Sequence, residues 1–198
     1  MCGRYYIDEH DPLLRGFVDV ARLKGEVKTG EVFPSDCAAV IANNRRLTPS
    51  VFPMRWGFER PNGGLIINAR SETASQKPLF RESARLRRCL IPASWYYEWE
   101  RRAGGKVKYA LRSERGGVVY LGGLYTLSKD GAPRFTVLTR DAAPGIEFIH
   151  NRMPVIVPPE KQDAWLSQQF TLDELLGDAE TDMEYRREEQ VEPEPAEN

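Results

Sequence analysis

Two spacings of apolar residues divide the chain. Between residues 12 and 23, Leu13, Leu14, Phe17, Val18 and Leu23 return at helical spacing. Asp11 stands where a side-chain cap is wanted, and Pro12 occupies the first helical position, where its missing N–H leaves no bond unmade. A helix over about 12–23 is predicted. From Cys37 onward the texture changes to short runs rich in β-branched and aromatic residues: CAAVIAN, LTPSVFPM, GLIINA, CLIPA, WYYEWE, VKYALR, VVYLGGLYTL, RFTVLT and MPVIV. Breaks such as RRAGGK, SERGG and SKDGAP are short enough for hairpins. Further helices are predicted over 78–86, after Pro158-Pro159 through Trp165 and Leu166, and around Leu172, Leu175 and Leu176. With no βαβ alternation and no internal repeat, the pattern predicts one α+β domain, a mainly antiparallel curled or barrel-like sheet with a few flanking helices.

At 198 residues the chain is long enough for one domain with a substantial core. A net charge of −1 conceals an asymmetry: residues 171–198 hold eleven acids against Arg186 and Arg187, a net −9, which leaves +8 on the residues before them. The basic body suits a polyanion such as nucleic acid. The end of the chain, EEQVEPEPAEN, reads as a solvated extension, so the domain is placed at 1–178 and an acidic, disordered tail at 179–198. No apolar run is long enough to span a bilayer, and the first ten residues lack the apolar stretch of a secretory signal, so a cytoplasmic protein without membrane contact is expected. Cys2, Cys37 and Cys89 show no CxxC spacing and only His10 and His150 could join them. Neither a disulfide framework nor a zinc site is expected, and no cofactor.

Cys2 follows the initiator methionine, and a residue this small normally permits removal of Met1. The mature chain would then present an α-amine with a pKa of about 7.7–8.0 and a thiol of about 8.5 on adjacent carbons. Such an aminothiol can attack an acyl carbon with the amine as internal base, or close on an aldehyde as a five-membered thiazolidine. Alternatively Cys2 is a small residue opening a strand with Met1 retained. Three other residues admit two readings each. In WYYEWE, period-two alternation puts Trp95, Tyr97 and Trp99 on one face and Tyr96, Glu98 and Glu100 on the other. Glu98 is either solvated or, facing a pocket beside aromatic rings, a carboxyl whose pKa desolvation raises into the range of a proton shuttle. His150, in IEFIHNRMP, is a structural hydrogen-bonder or a catalyst. Asn68, before Ala69-Arg70, is a turn residue or an amide that orients an anion.

Taken together, MCGRY, WGF at 56–58, INARSET at 67–73, KPLFRES at 77–83, RRCLIPASWYYEW at 87–99 and IHNRMPVI at 149–156 resemble, in that order, the SOS-response-associated peptidase (SRAP) family. That family includes abasic-site processing proteins that crosslink themselves to single-stranded DNA. The resemblance implies that Cys2, freed by an autoproteolytic loss of Met1, forms a thiazolidine with the ring-opened sugar of an abasic site. It implies that Asn68 positions the cysteine and sugar, and that Glu98 and His150 form the acid/base pair. Arg4, Arg70 and Arg152 would lie near the DNA backbone, Trp56 and Trp99 where aromatic residues wedge against the strand, and Thr139 near the lesion pocket. The expected partner is abasic single-stranded DNA, bound by a monomer associated with the nucleoid while on DNA; replication-fork proteins are conceivable further partners. Cys37 and Cys89 read as buried structural thiols.

The chain departs from the family pattern in three places. Trp56-Gly57 leads into Phe58-Glu59-Arg60-Pro61 where relatives carry a longer WGxxPxW-like segment, Trp95 replaces a glycine before the YEW block, and Asn151 replaces an aspartate after the histidine. Two rival functions fit a Cys-Gly start less fully. An N-terminal-nucleophile amidohydrolase or peptidase predicts ammonia or peptide release, and a noncatalytic single-stranded-DNA-binding module predicts equal affinity for intact and abasic strands.

Overall fold

The computed structural model describes residues 2–60 and 62–188. Removal of Met1 and the acidic stretch 189–198, both part of the sequence expectations, lie outside the described residues. The chain runs through β1 (Tyr5–Ile7), α1 (Pro12–Arg22), β2 (Gly30–Val32), β3 (Cys37–Asn43), β4 (Pro49–Trp56), β5 (Phe58–Glu59), β6 (Leu65–Ile66) and β7 (Asn68–Arg70). It continues through α2 (Ser71–Ala74), α3 (Pro78–Leu86), β8 (Arg88–Ala93), β9 (Trp95–Arg102), β10 (Gly105–Ser113), β11 (Val119–Leu127) and β12 (Pro133–Asp141). The last elements are β13 (Arg152–Pro154), α4 (Gln162–Leu166), α5 (Leu172–Leu176) and β14 (Met183–Arg187).

Four of the five α-helices among the described residues lie where the sequence predicts them, and α2 is an additional single turn that the pattern does not show. The Asp11 carboxylate accepts hydrogen bonds from the N–H groups of Leu13 at 2.8 Å and Leu14 at 3.1 Å, satisfying donors the first turn leaves open. Leu14, Val18 and Ala21 of α1 are buried, and the helix packs over β3 and β4. α3 starts at Pro78 and turns Phe80, Ser83 and Ala84 inward. α5 opens with a reciprocal capping box between Thr171 and Glu174.

The main sheet closes on itself. β11 pairs with β8, β8 with β3, β3 with β4, β4 with β12, and β12 back with β11. Within this ring only the β4–β12 contact is parallel, and β7 adds a second parallel pairing on β12. The predicted mainly antiparallel, barrel-like α+β architecture is therefore the one observed. A second sheet, ordered β14-β10-β9-β1-β2, lies against the barrel, and the chain passes from one to the other between β8 and β9 at Ser94. Ser94 secures the crossing: its N–H donates to Tyr6 O at 2.8 Å, and its hydroxyl accepts from Asp8 N–H at 3.0 Å. The core fills the barrel with Val40, Leu90, Ile91, Leu121, Phe135 and Val137 among others. At Gly122 a Cβ would stand 2.7 Å from the Trp165 ring, so only glycine lets that indole lie on β11 and donate to Cys89 O.

Three boundaries differ from the pattern. GLIINA is not one strand: it divides at Ile67, whose carbonyl accepts from Val137 N–H and from the Trp56 indole N–H. In MPVIV the strand stops at Pro154, and the chain continues beside β11 through an isolated bridge between Ile156 and Leu121. The ordered domain also extends beyond residue 178. Met183–Arg187 form β14, an edge strand on β10 with Ala110 opposite Arg186 and Ser113 opposite Met183. Its charged composition hides it, because its stability comes from backbone pairing, the buried Met183, and Arg186 stacked over the Trp95 ring at 4.7 Å. No helix among the described residues is long and apolar enough to cross a membrane.

Candidate functional site

The N-terminal segment lies alongside β9. Tyr5 pairs with Tyr96, and Tyr97 N–H donates to Arg4 O at 2.9 Å, so the register carries residues 2–4 toward Glu98 and Trp99. Cys2 is fully buried, and its carbonyl accepts from Asn68 Nδ2 at 2.8 Å. Asn68 can reach it because β7 is held in register on β12, with Asn68 opposite Val137. The structure thus brings together Cys2, Asn68 and Glu98, three of the four residues singled out for chemistry, from β7, β9 and the segment before β1.

His150, the fourth, shares an open cleft of about 410 Å³ with Glu98, Trp99, Arg101, Lys106, Phe148 and Ile149. The ring is oriented by its own chain: Nδ1 accepts from Arg152 N–H at 2.9 Å, which leaves the neutral ring's proton on Nε2. In that tautomer His150 is a hydrogen-bond donor rather than a base.

Electrostatics distinguish the groups. Glu98 is 4% exposed, and burial raises its carboxyl pKa. The solvated reading of Glu98 is therefore set aside. Burial also drives the Cys2 thiol far above the ordinary thiol range, and the Glu98 carboxylate pushes in the same direction. A thiol at that depth holds its proton more tightly than a free cysteine does. Cys89 is likewise buried with a raised pKa, whereas Cys37 is only half-buried. Around Cys2, the hydroxyls of Tyr5 and Tyr96 and the Oδ1 of Asn68 are buried with no hydrogen-bond partner among the described residues. Sequence reasoning missed both tyrosines as neighbours of the cysteine, although Tyr96 shares the Glu98 face by alternation.

The residues expected to hold DNA fall in two groups, Arg4 with Trp99 and Arg70 with Thr139 and Arg152, while Trp56 stands apart. Arg4 reaches the surface between Phe33, 4.3 Å from its ring centre, and Trp99, at 5.0 Å, and it pairs with Glu31 at 3.3 Å. Trp99 is half-buried beside the cleft, and Arg70 is exposed two residues beyond Asn68. Trp56 has a different role: it is 0% exposed, stacks on Phe135, contacts Tyr5 and donates its indole N–H to Ile67 O. It has no face to offer a nucleobase, which corrects the expectation drawn from WGF. Phe58, in the segment that departs from the family pattern, is also buried, against Phe80. Thr139 is 1% exposed and stands behind Arg70 on the adjoining strand. Arg152 is already engaged, with Glu72 at 2.7 Å, Asp141 at 2.6 Å and Thr139 O at 2.6 Å. It ties α2 to β12, and its own backbone N–H orients His150. Trp95, the replacement for a glycine, is sandwiched between Tyr6, with rings 4.7 Å apart, and Arg186. Among the described residues no group of three or more His, Cys, Asp or Glu side chains could hold a metal ion.

A family model described as SOS response associated peptidase (SRAP) matches residues 1–192. The chain is 34% identical over 188 residues to the abasic site processing protein YoqW of Bacillus subtilis, covering 86% of this chain and 82% of that one. It belongs to the SRAP family. A further SRAP relative, the abasic site processing protein YoaM of Bacillus subtilis, is 32% identical over 193 residues, covering 89% of this chain and 83% of that one. The SRAP fold recurs in a solved structure from Bordetella bronchiseptica, with a TM-score of 0.75 and 23% identity over 95% of this chain and 100% of that one. A structure from Bacteroides thetaiotaomicron also gives a TM-score of 0.75, at 19% identity over 96% of this chain and 93% of that one. At these identities the two structures speak for the fold alone.

Proposed function

We propose that this SRAP protein processes abasic sites in single-stranded DNA and, once Met1 is removed, captures them covalently as a thiazolidine on Cys2. The observation that supports this most directly is the placement of Cys2, buried beside the Glu98 carboxyl with its carbonyl held by Asn68. The names of the similar proteins YoqW and YoaM point the same way.

Each step has a group suited to it. An abasic sugar is mainly a closed hemiacetal. The raised pKa of Glu98 keeps a protonated carboxyl available at higher pH than a free glutamate would. Such a carboxyl opens the ring by giving its proton to the ring oxygen while its other oxygen takes the proton of the anomeric hydroxyl. His150, as an Nε2–H donor, holds a sugar oxygen in place. The Cys2 amine then adds to the aldehyde carbon, and Glu98 protonates the departing hydroxyl, leaving an iminium ion, water and a carboxylate. Finally the thiol proton passes to that carboxylate as the sulfur bonds to the iminium carbon. The sum is aldehyde plus aminothiol to thiazolidine plus one water, with Glu98 returned to its protonated form. Neither metal nor cofactor enters the sequence. Arg4, Arg70, Arg101 and Lys106 would meet phosphates, giving salt-sensitive binding indifferent to base sequence.

The test is a pair of Cys2 variants incubated with an oligonucleotide containing one abasic site. Cys2→Ala is expected to give no stable adduct. Cys2→Ser retains the amine and is expected to give an adduct only when borohydride reduces the imine. An undiminished adduct from Cys2→Ala would overturn the proposal.

A further inference from the structure

The burial of Trp56 leaves open which aromatic ring meets the bases beside the lesion. We infer that Phe148 is a stacking platform for a nucleobase flanking the abasic site, an inference that rests on the single-stranded-DNA reading above. Four aromatic side chains stand out as exposed among the described residues, Phe33, Phe148, Phe170 and Tyr185, and of these Phe148 alone lines the cleft shared by Glu98 and His150. It is 48% exposed and touches the equally exposed Tyr185, so the two rings form an aromatic patch rather than a lone exposed side chain.

The ring is braced rather than loose. Its centre lies 5.8 Å from Tyr109 at an interplanar angle of 90° and 5.3 Å from Tyr185 at 69°, while Tyr109 and Tyr185 meet at 5.7 Å and 77°. Phe148, Tyr109 and Tyr185 are mutually edge-on, the geometry aromatic quadrupoles favour, and the two tyrosines hold Phe148 in place. Tyr109 is anchored in turn, its hydroxyl donating to Glu100 at 2.9 Å. Tyr185 belongs to β14, so the edge strand built from the charged end of the chain has a use: it buttresses the mouth of the cleft. Arg101 and Lys106 line the same cleft. A hydrophobic ring flanked by cations is the combination that single-stranded nucleic acid requires, bases on the ring and phosphates on the cations. Phe148 also lies two residues before His150 in the chain, so a base seated on it would hold the neighbouring nucleotide close to the Glu98–His150 pair.

The experiment measures affinity by fluorescence anisotropy with full-length protein and a strand carrying one tetrahydrofuran, an abasic analogue with no aldehyde that cannot crosslink. Two strands are compared: one with normal bases on both sides of the analogue, one in which those neighbours also lack bases. Base–aromatic stacking predicts that Phe148→Ala weakens binding to the first strand by about 5- to 150-fold. On the second strand wild type and Phe148→Ala are expected to bind alike, while Phe148→Trp stays within about twofold of wild type on both. Because no charge is removed, the salt dependence should not change. Equal losses on both strands, or no loss on either, would overturn the inference. The crosslinking proposal fails independently: wild type that shows the base-dependent affinity but forms no Cys2-dependent adduct with an aldehyde-bearing strand would sink that proposal and leave the stacking assignment standing.

Discussion

Replacing Glu98 by Gln separates what this carboxyl does for the reaction from what it does to the fold. The side chain is 4% exposed and burial raises its pKa, so the native state holds the proton more tightly than the unfolded chain does. For a group shifted upward, the stability it contributes is complete below the unfolded pKa of about 4.3 and is lost as pH rises through the folded value. Glutamine has the same shape and never ionises, so it avoids this loss. If desolvation of the carboxylate costs about 1–3 kcal/mol, Glu98→Gln should melt roughly 2–12 °C higher than wild type near pH 8. The two proteins should converge near pH 4. Other carboxylates held below their ordinary range, such as Glu72 beside Arg152, weaken both proteins alike in acid, so the difference between the melting curves isolates Glu98. Removing a proton shuttle should at the same time slow adduct formation by about 10²- to 10⁴-fold. Calorimetry across pH 4–9 and single-turnover adduct kinetics test the two halves. A Glu98→Gln protein less stable than wild type by an amount that does not vary with pH would refute the desolvation reasoning, and an unchanged rate would refute the role in catalysis.

Other substitutions probe separate parts of the account. Trp56→Ala should lower stability by about 3–5 kcal/mol, roughly 6–20 °C in Tm, because it empties a core position; a variant that melts like wild type would return Trp56 to the surface. Arg88 is buried, and its guanidinium donates to the carbonyls of Ala84, Trp165 and Ser167, joining the ends of α3 and α4. Denaturant unfolding of Arg88→Met should show a loss of about 2–5 kcal/mol, since those acceptors are left without donors. Asn68→Ala removes the amide that holds the Cys2 carbonyl and should slow adduct formation by about 10- to 100-fold, with affinity for the tetrahydrofuran strand unchanged within about twofold; a fall in affinity with an unchanged rate would make Asn68 a binding residue instead.

Much of the fold is written in local signals. Asp11 and Pro12 mark the start of α1, Pro78 opens α3, and the β-branched runs foretell the barrel strands because each buries a face there. Alternation in WYYEWE places Glu98 on the Tyr96 face, and the structure shows that face to be buried. Sequence patterns fail where tertiary contacts decide. Nothing local tells a buried tryptophan from a wedging one, and Trp56 is interior because Phe135 and Ile67 from distant segments close over it. Nothing local shows that Arg152 is held by Glu72 and Asp141. β14 reads as solvent-facing charge because an edge strand needs partners for its backbone, not apolar side chains. The placement of Phe148 depends on Tyr109 and Tyr185, rings separated from it in sequence and joined only by the sheet.

The central claim is covalent capture by the mature N-terminus, and intact mass spectrometry of the purified protein tests it most directly. The protein is measured alone, after incubation with a single-stranded oligonucleotide containing one abasic site, and after incubation with the same strand intact. The account predicts a chain lacking Met1 that gains the mass of the abasic strand less one water, in stoichiometric yield and only with the abasic strand. A chain that retains Met1, or one that loses it yet gains no mass from the abasic strand, would contradict it.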